Sequence, residues 1–117
     1  VRTAEILLDL VTPKTGVIAY ITSRLGSVAD RTSAHADLYS ASKAALNSLT
    51  RAFAHRHEEL GLSVLSLHPG WVKTEIGGDG AQLEVEDVVP GLVDLMEKAR
   101  GSHQRAFLDY RGTEIPW

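Results

Sequence analysis

The 117 residues are enough for one ordinary domain with a modest core. Twelve Lys and Arg against fifteen Asp and Glu leave a formal net charge of −3, so there is no electrostatic case for nucleic acid. No apolar run approaches the ~20 residues that span a bilayer, the first apolar stretch carries Glu5 and Asp9 and reads as no signal peptide, and the absence of cysteine excludes disulfides and thiol chemistry. The expectation is a soluble, cytoplasmic protein with neither membrane nor nucleic acid as a partner.

In chain order, Val1 to Val11 puts Ala4, Leu7, Leu8 and Val11 at i, i+3, i+4 and i+7, the stripe of one helix face, though no capping residue opens it. Pro13 and Gly16 end that helix. Val17–Thr22 is short and rich in β-branched residues, which predicts a buried strand. Ser23, Gly26 and Ser27 follow where the strand hands over to a loop. A long helix is expected from about Leu38 to Leu60 through Leu38, Ala41, Ala45, Leu49, Ala52 and Phe53, with Asp37 as candidate N-cap and Gly61 as the stop. Leu62–Leu67 predicts a second buried, parallel strand, broken by Pro69-Gly70. Gly77, Gly78 and Gly80 predict a mobile loop. Val85–Arg100 reads as a helix with Val88, Val89, Leu92, Leu95, Met96 and Ala99 toward the core, confined or bent by Pro90 and Gly91. Glu84, Glu86 and Asp87 at its start need no function, because the helix dipole favours them there. Phe107–Tyr110 is the last strand, before a polar tail ending in Trp117. Strands alternating with long helices imply βαβ units and a parallel sheet. The predicted fold class is α/β, the C-terminal part of a doubly wound sheet with about three strands and flanking helices.

Tyr39 and Lys43 lie four residues apart at the start of the long helix and so share one face, one turn from each other. Isolated tyrosine titrates near ~10 and is a poor proton shuttle at neutral pH. A lysine ammonium beside a tyrosine favours the phenolate, as does the positive end of a helix. Ser23 at a strand end can donate a hydrogen bond to an oxygen on which charge develops. A serine, a tyrosine and a lysine that converge in this way suit carbonyl reduction or alcohol oxidation. Read blandly, Tyr39 and Lys43 are only an amphipathic helix start.

Tyr39-Ser40-Ala41-Ser42-Lys43, the serine-bearing strand Ile18–Thr22 into Ser23, and His68-Pro69-Gly70-Trp71-Val72-Lys73-Thr74 stand in one order that resembles the short-chain dehydrogenase/reductase family over nearly the whole chain. HPGWVKTE and the closing FLDYRGTEIPW are most similar to its Sniffer and C-factor branch of carbonyl reductases. The resemblance implies a Rossmann-type fold, a small carbonyl or alcohol substrate, and NADP or NAD as cofactor, with NADP preferred. It makes Tyr39 the proton donor and Ser23 the holder of the carbonyl oxygen. Lys43 would support Tyr39 and hydrogen-bond the nicotinamide ribose. Pro69, Gly70, Val72 and Thr74 would line the nicotinamide, Val72 through its backbone and Thr74 through its hydroxyl. Ser23 precedes Tyr39 by sixteen residues, longer than the family's usual spacing, which leaves Ser27 as a rival. The resemblance also implies a homo-oligomer joined through the helices at residues 1–11 and 38–60.

The sequence contains no G-x-G-x-x-G turn of the kind that seats a pyrophosphate. Residues 1–117 therefore read as the C-terminal catalytic portion of one NAD(P)-binding domain whose phosphate-binding half is absent, or as a non-catalytic remnant that serves as an interaction module. His55 and His57 stand two apart on a helix and do not face one another, which argues against a metal site. His68 could approach the site or be structural, and Trp71 could cover ligand or the core edge.

Overall fold

The computed structural model describes residues 1–32 and 34–117. The elements run α1 (Arg2–Ile6), β1 (Val17–Ile21), α2 (Asp37–Arg56), β2 (Ser63–His68), α3 (Val85–Ala99) and β3 (Arg105–Asp109). The three strands form one parallel sheet in the order β1-β2-β3, with Val17 opposite Ser63 and Val64 opposite Arg105. The predicted α/β alternation and parallel pairing are both present, with strand ends displaced by one or two residues. Among the described residues no helix is long and apolar enough to cross a membrane.

Side chains of the sheet alternate between two layers, as the pleat requires. On one face Val64 and the partly buried Ile18 and Tyr20 meet Phe53 and Ala54 of α2, joined by Val1, Ala4, Leu8 and Val11 from the N-terminal segment. On the other, Leu65, Leu67, Ala106 and Leu108 meet Val88, Leu92 and Ala99 of α3. Covered on both sides, β2 is buried along Ser63–Leu67, which is why it reads as a near-continuous apolar run. Strand β1 differs from the expectation of burial. It stands at the sheet edge, its residues are only partly covered, and Ile21 is 50% exposed.

The helix expected over Val1–Val11 is broken. Regular α-helix stops at Ile6, and Leu8–Leu10 forms a separate 3-10 turn. A helix of five residues with no side-chain cap holds few internal hydrogen bonds, so tertiary contact decides its course. Ala4, Leu8 and Val11 keep their core contacts while Leu7 is left exposed.

Helix α2 departs further from its predicted pattern. The residue capping its start is Ala36, in the left-handed conformation, and Asp37 is the first helical residue, paired with Arg31 at 2.7 Å. Regular helix ends at Arg56, and a 3-10 turn over Glu58–Leu60 carries the chain to Gly61, whose φ of +60° makes the expected stop. The predicted apolar stripe points outward: Leu38, Ala41, Ala45, Leu49 and Ala52 are exposed, and of that set only Phe53 is buried. The buried face is instead Ser40, Asn47, Thr50, Phe53 and Ala54.

In α3 the core face holds Val88, Leu92 and Ala99 as expected, with Leu95 and Met96 partly buried, but Val89 is 45% exposed. Helix continues through Pro90. Gly91 is required by approach, since a Cβ there would lie 2.4 Å from the carbonyl oxygen of Tyr110. Glu84 and Asp87 close a reciprocal capping box at the helix start. The tail expected to be polar folds back on β3, where the Ile115 N–H donates to Phe107 O at 2.8 Å and Ile115 is buried. Trp117 lies 5.5 Å from the Phe107 ring.

Candidate active site

Beyond Ile21 the chain stays in sheet register for one more residue, the Thr22 N–H donating to Leu67 O at 2.8 Å. Ser23 follows in extended backbone and caps a 3-10 turn over Arg24–Gly26, its Oγ accepting from the Leu25 N–H at 3.2 Å. That bond uses a lone pair and leaves the hydroxyl hydrogen free. The turn lies directly on α2. A Cβ on Gly26 would stand 2.7 Å from the Lys43 carbonyl carbon, and Asn47 Nδ2 donates to Gly26 O at 3.2 Å.

Tyr39 sits in the first turn of α2 and is 44% exposed. Lys43 is one turn further, with Nζ 5.7 Å from the Tyr39 ring centroid. The same ammonium donates to Ile21 O at 3.5 Å. Lys43 therefore touches Tyr39 on one side and, on the other, the end of β1 two residues before Ser23. Ser27, the rival serine, is committed elsewhere. Its Oγ donates to Pro116 O at 2.5 Å and accepts from the Asp30 N–H at 3.0 Å, tying the loop to the tail. Asn47 and the close approach at Gly26 escaped the sequence reading. A usable signal for Asn47 was its spacing, since it continues the i, i+4 row of Tyr39 and Lys43.

Pro69 and Gly70 turn the chain away from β2, with Gly70 at a φ of +85° and room only for hydrogen, because a Cβ would meet Leu83 Cδ1 at 2.5 Å. Val72 then bridges to Leu83, fixing the loop to the segment that leads into α3. Thr74 is exposed, and its Oγ1 accepts from the Gly77 N–H at 3.0 Å. Trp71 donates through Nε1 to Gly77 O at 2.8 Å, so the indole braces this loop rather than the core. An open hollow of about 540 Å³ lies against Lys73, Thr74, Glu75, Gly78 and Asp79.

His68 ends β2, and its pKa is lowered from 6.5 by burial first and then by the charge of Arg24, with Asp109 acting in the opposite sense. His55 is exposed, whereas His57 bonds Glu5 at 2.7 Å and lies 4.8 Å from the Phe53 ring. Among the described residues no group of three His, Cys, Asp or Glu is arranged to hold a metal.

The hydroxyl and ammonium groups of Ser23, Tyr39, Lys43 and Thr74 are of the kinds that bond polyhydroxyl and carbonyl ligands. Ser23 and Thr74 each accept one bond and keep a hydroxyl hydrogen, Tyr39 has a free phenol, and Lys43 has further N–H groups.

Comparison with known proteins follows the same outline. The family profile described as short chain dehydrogenase matches residues 1–94. The C-signal protein of Myxococcus xanthus is 41% identical over 100 residues, a match covering 86% of this chain and 60% of that protein. A carbonyl reductase from Pseudomonas aeruginosa PAO1 in complex with NADP superposes with a TM-score of 0.86 at 48% identity, covering 99% of this chain and 50% of that one. The carbonyl reductase Sniffer of D. melanogaster does so with a TM-score of 0.87 at 30% identity, covering 97% and 51%. The three-stranded parallel sheet with its helices thus matches part of the Rossmann-type fold of these enzymes, and the chain spans about half the length of the structures it matches.

Proposed function

The chain belongs to the short-chain dehydrogenase family, and from that premise we propose that it is the catalytic, C-terminal portion of an NAD(P)-binding domain that interconverts carbonyls and alcohols. The observation that carries this reading is the double contact of Lys43, with the Tyr39 ring at 5.7 Å and with Ile21 O at 3.5 Å, which joins the tyrosine turn to the strand end bearing Ser23. Tyr39 donates its phenolic proton to the carbonyl oxygen, and in the reverse direction its phenolate takes the proton from the alcohol. Lys43 sets a positive charge beside that developing phenolate, and its remaining N–H groups are free to hold sugar hydroxyls. Ser23 uses its free hydroxyl hydrogen to orient the carbonyl oxygen and to stabilise charge on it.

NADP(H) is the cofactor we favour, because the Pseudomonas relative is in complex with NADP. Bound reduced nicotinamide would supply the hydride. Pro69, Gly70, Val72 and Thr74 are the residues that would line it. The substrate class is a small carbonyl compound or alcohol, and a homo-oligomer through the residue 1–11 and 38–60 segments is part of the proposal.

Tyr39→Phe tests the assignment. It keeps the ring and loses the proton, so kcat should fall at least ~100-fold while NADPH affinity stays within a few-fold. Steady-state kinetics and fluorescence titration with the complete coding sequence expressed would read both, and turnover above a tenth of wild type would refute the role of Tyr39.

A further inference from the structure

We propose that His68 is a further ligand-positioning residue of this site, an uncharged imidazole that donates Nε2–H to a neutral carbonyl-type oxygen of a molecule seated at the carboxyl end of the sheet. This deepens the functional reading above and rests on it. His68 is the last residue of the middle strand. Asp109 is its register partner in β3, and on the other side Thr22 bonds Leu67 O, with Ser23 next along. The Pro69-Gly70 turn begins at the following residue. Open α/β sheets take ligands outside the carboxyl ends of their strands. His68 therefore stands at the root of the loop carrying Val72 and Thr74, one strand over from Ser23.

Its Nδ1 is enclosed and has no hydrogen-bond partner among the described residues, whereas the residue as a whole is only partly buried. A purely structural histidine at a strand end would use its inner nitrogen to hold a backbone group, and this one holds none. An enclosed N–H without an acceptor is rarer and costlier than an enclosed acceptor without a donor. The proton accordingly belongs on Nε2, and Nδ1 carries the lone pair.

The charged groups around it act together. Burial and the Arg24 guanidinium disfavour the imidazolium, and Asp109 favours it. Arg24 is itself held by Asp30 at 3.2 Å and Asp109 at 3.9 Å, so Asp109 is already shared with another cation. At neutral pH the outcome is a single uncharged N–H donor on the rim. Such a donor matches an uncharged oxygen and gives an anion no charge partner. Two molecules offer that oxygen: the carbonyl substrate, and the amide of a dinucleotide head.

Nitrogen-15 NMR of the imidazole on the protein itself reads the tautomer without any turnover. The expected result is an Nε2–H ring at neutral pH, titrating below 6.5, whose Hε2 resonance moves on addition of NADPH or benzaldehyde. An Nδ1–H tautomer, or a resonance unmoved by either probe, would overturn the proposal. In kinetics, His68→Phe should raise KM for benzaldehyde or Kd for NADPH at least ~10-fold, a loss matching one hydrogen bond of ~1.4 kcal/mol, with kcat within about threefold. The constant that rises identifies the molecule bound. His68→Gln keeps a donor and should recover most of the loss, whereas equal losses in both variants, or none, would refute the role. If Tyr39→Phe abolishes turnover and His68→Phe changes neither constant, this inference alone falls. If Tyr39→Phe remains active, the functional reading falls.

Discussion

Gly26 lacks a side chain for a steric reason, because a Cβ would press on the Lys43 backbone at 2.7 Å and on Lys43 Cβ at 2.9 Å. Gly26→Ala should push the Ser23 turn away from α2, lengthen the Asn47 bond, and destabilise the fold by about 1–3 kcal/mol, the usual cost of overpacking. Urea denaturation would measure this, and an unchanged midpoint would mean the turn is not seated as described. Glu5 offers a second test. Its carboxyl is held below the ordinary 4.5 chiefly by the hydrogen bond from His57, with Arg56 adding to it against the opposing push of burial. A carboxylate depressed in the folded state contributes stability that is present above its unfolded value and lost as pH falls through its folded one. Wild type should therefore be more stable than Glu5→Gln at neutral pH, and the gap should close below 4.5. A gap that persists in acid would show that the pairing is not what Glu5 contributes.

At the scale of elements, β2 carries two serines with opposite bookkeeping of hydrogen bonds. Ser63 Oγ donates to Ala99 O at 2.6 Å and accepts from the Gln104 N–H at 2.9 Å, which locks β2 to the end of α3 and the start of β3. Ser66 Oγ is fully buried and has no partner among the described residues. Ser63→Ala should cost about 1–3 kcal/mol by stranding the Gln104 N–H, while Ser66→Ala should be neutral or stabilising by up to about 1 kcal/mol. Equal destabilisation by the two would refute the contrast. The burial of the strand was plain in the sequence, but which hydroxyl is satisfied depends on α3 and β3 arriving from elsewhere in the chain. Helix α2 makes the same point. Its Tyr39–Lys43 face was legible from spacing, yet its apolar stripe faces outward, and the buried face carries Asn47, which bonds the Gly26 carbonyl at 3.2 Å.

Across the whole molecule, several large apolar side chains are left uncovered among the described residues. Leu38 is 89% and Leu49 53% exposed on α2, and β1 offers an edge with unpaired backbone groups. Such an edge and such a stripe are templates for association. The chain should self-associate, with a mass by light scattering that rises with concentration, and Leu49→Glu should lower that mass. A concentration-independent monomer mass would count against association through α2.

What the sequence determined by itself is what depends on local order: the alternation of helix and strand, the parallel pairing that follows from it, the one-turn spacing of Tyr39 and Lys43 on α2, and the turn at Pro69-Gly70. These rest on spacing along one element or on turn residues, which act over a few bonds. Tertiary structure alone decided which face of α2 is buried, where α1 breaks, that the tail folds back on Ile115, and that Ser23 keeps a free hydroxyl hydrogen while Ser27 does not. Each of those depends on a partner many residues away: Gly26 O for Asn47, Phe107 O for the Ile115 N–H, and Pro116 O for Ser27. A hydrogen bond is specified by both of its ends, and a sequence displays them without saying which two will meet.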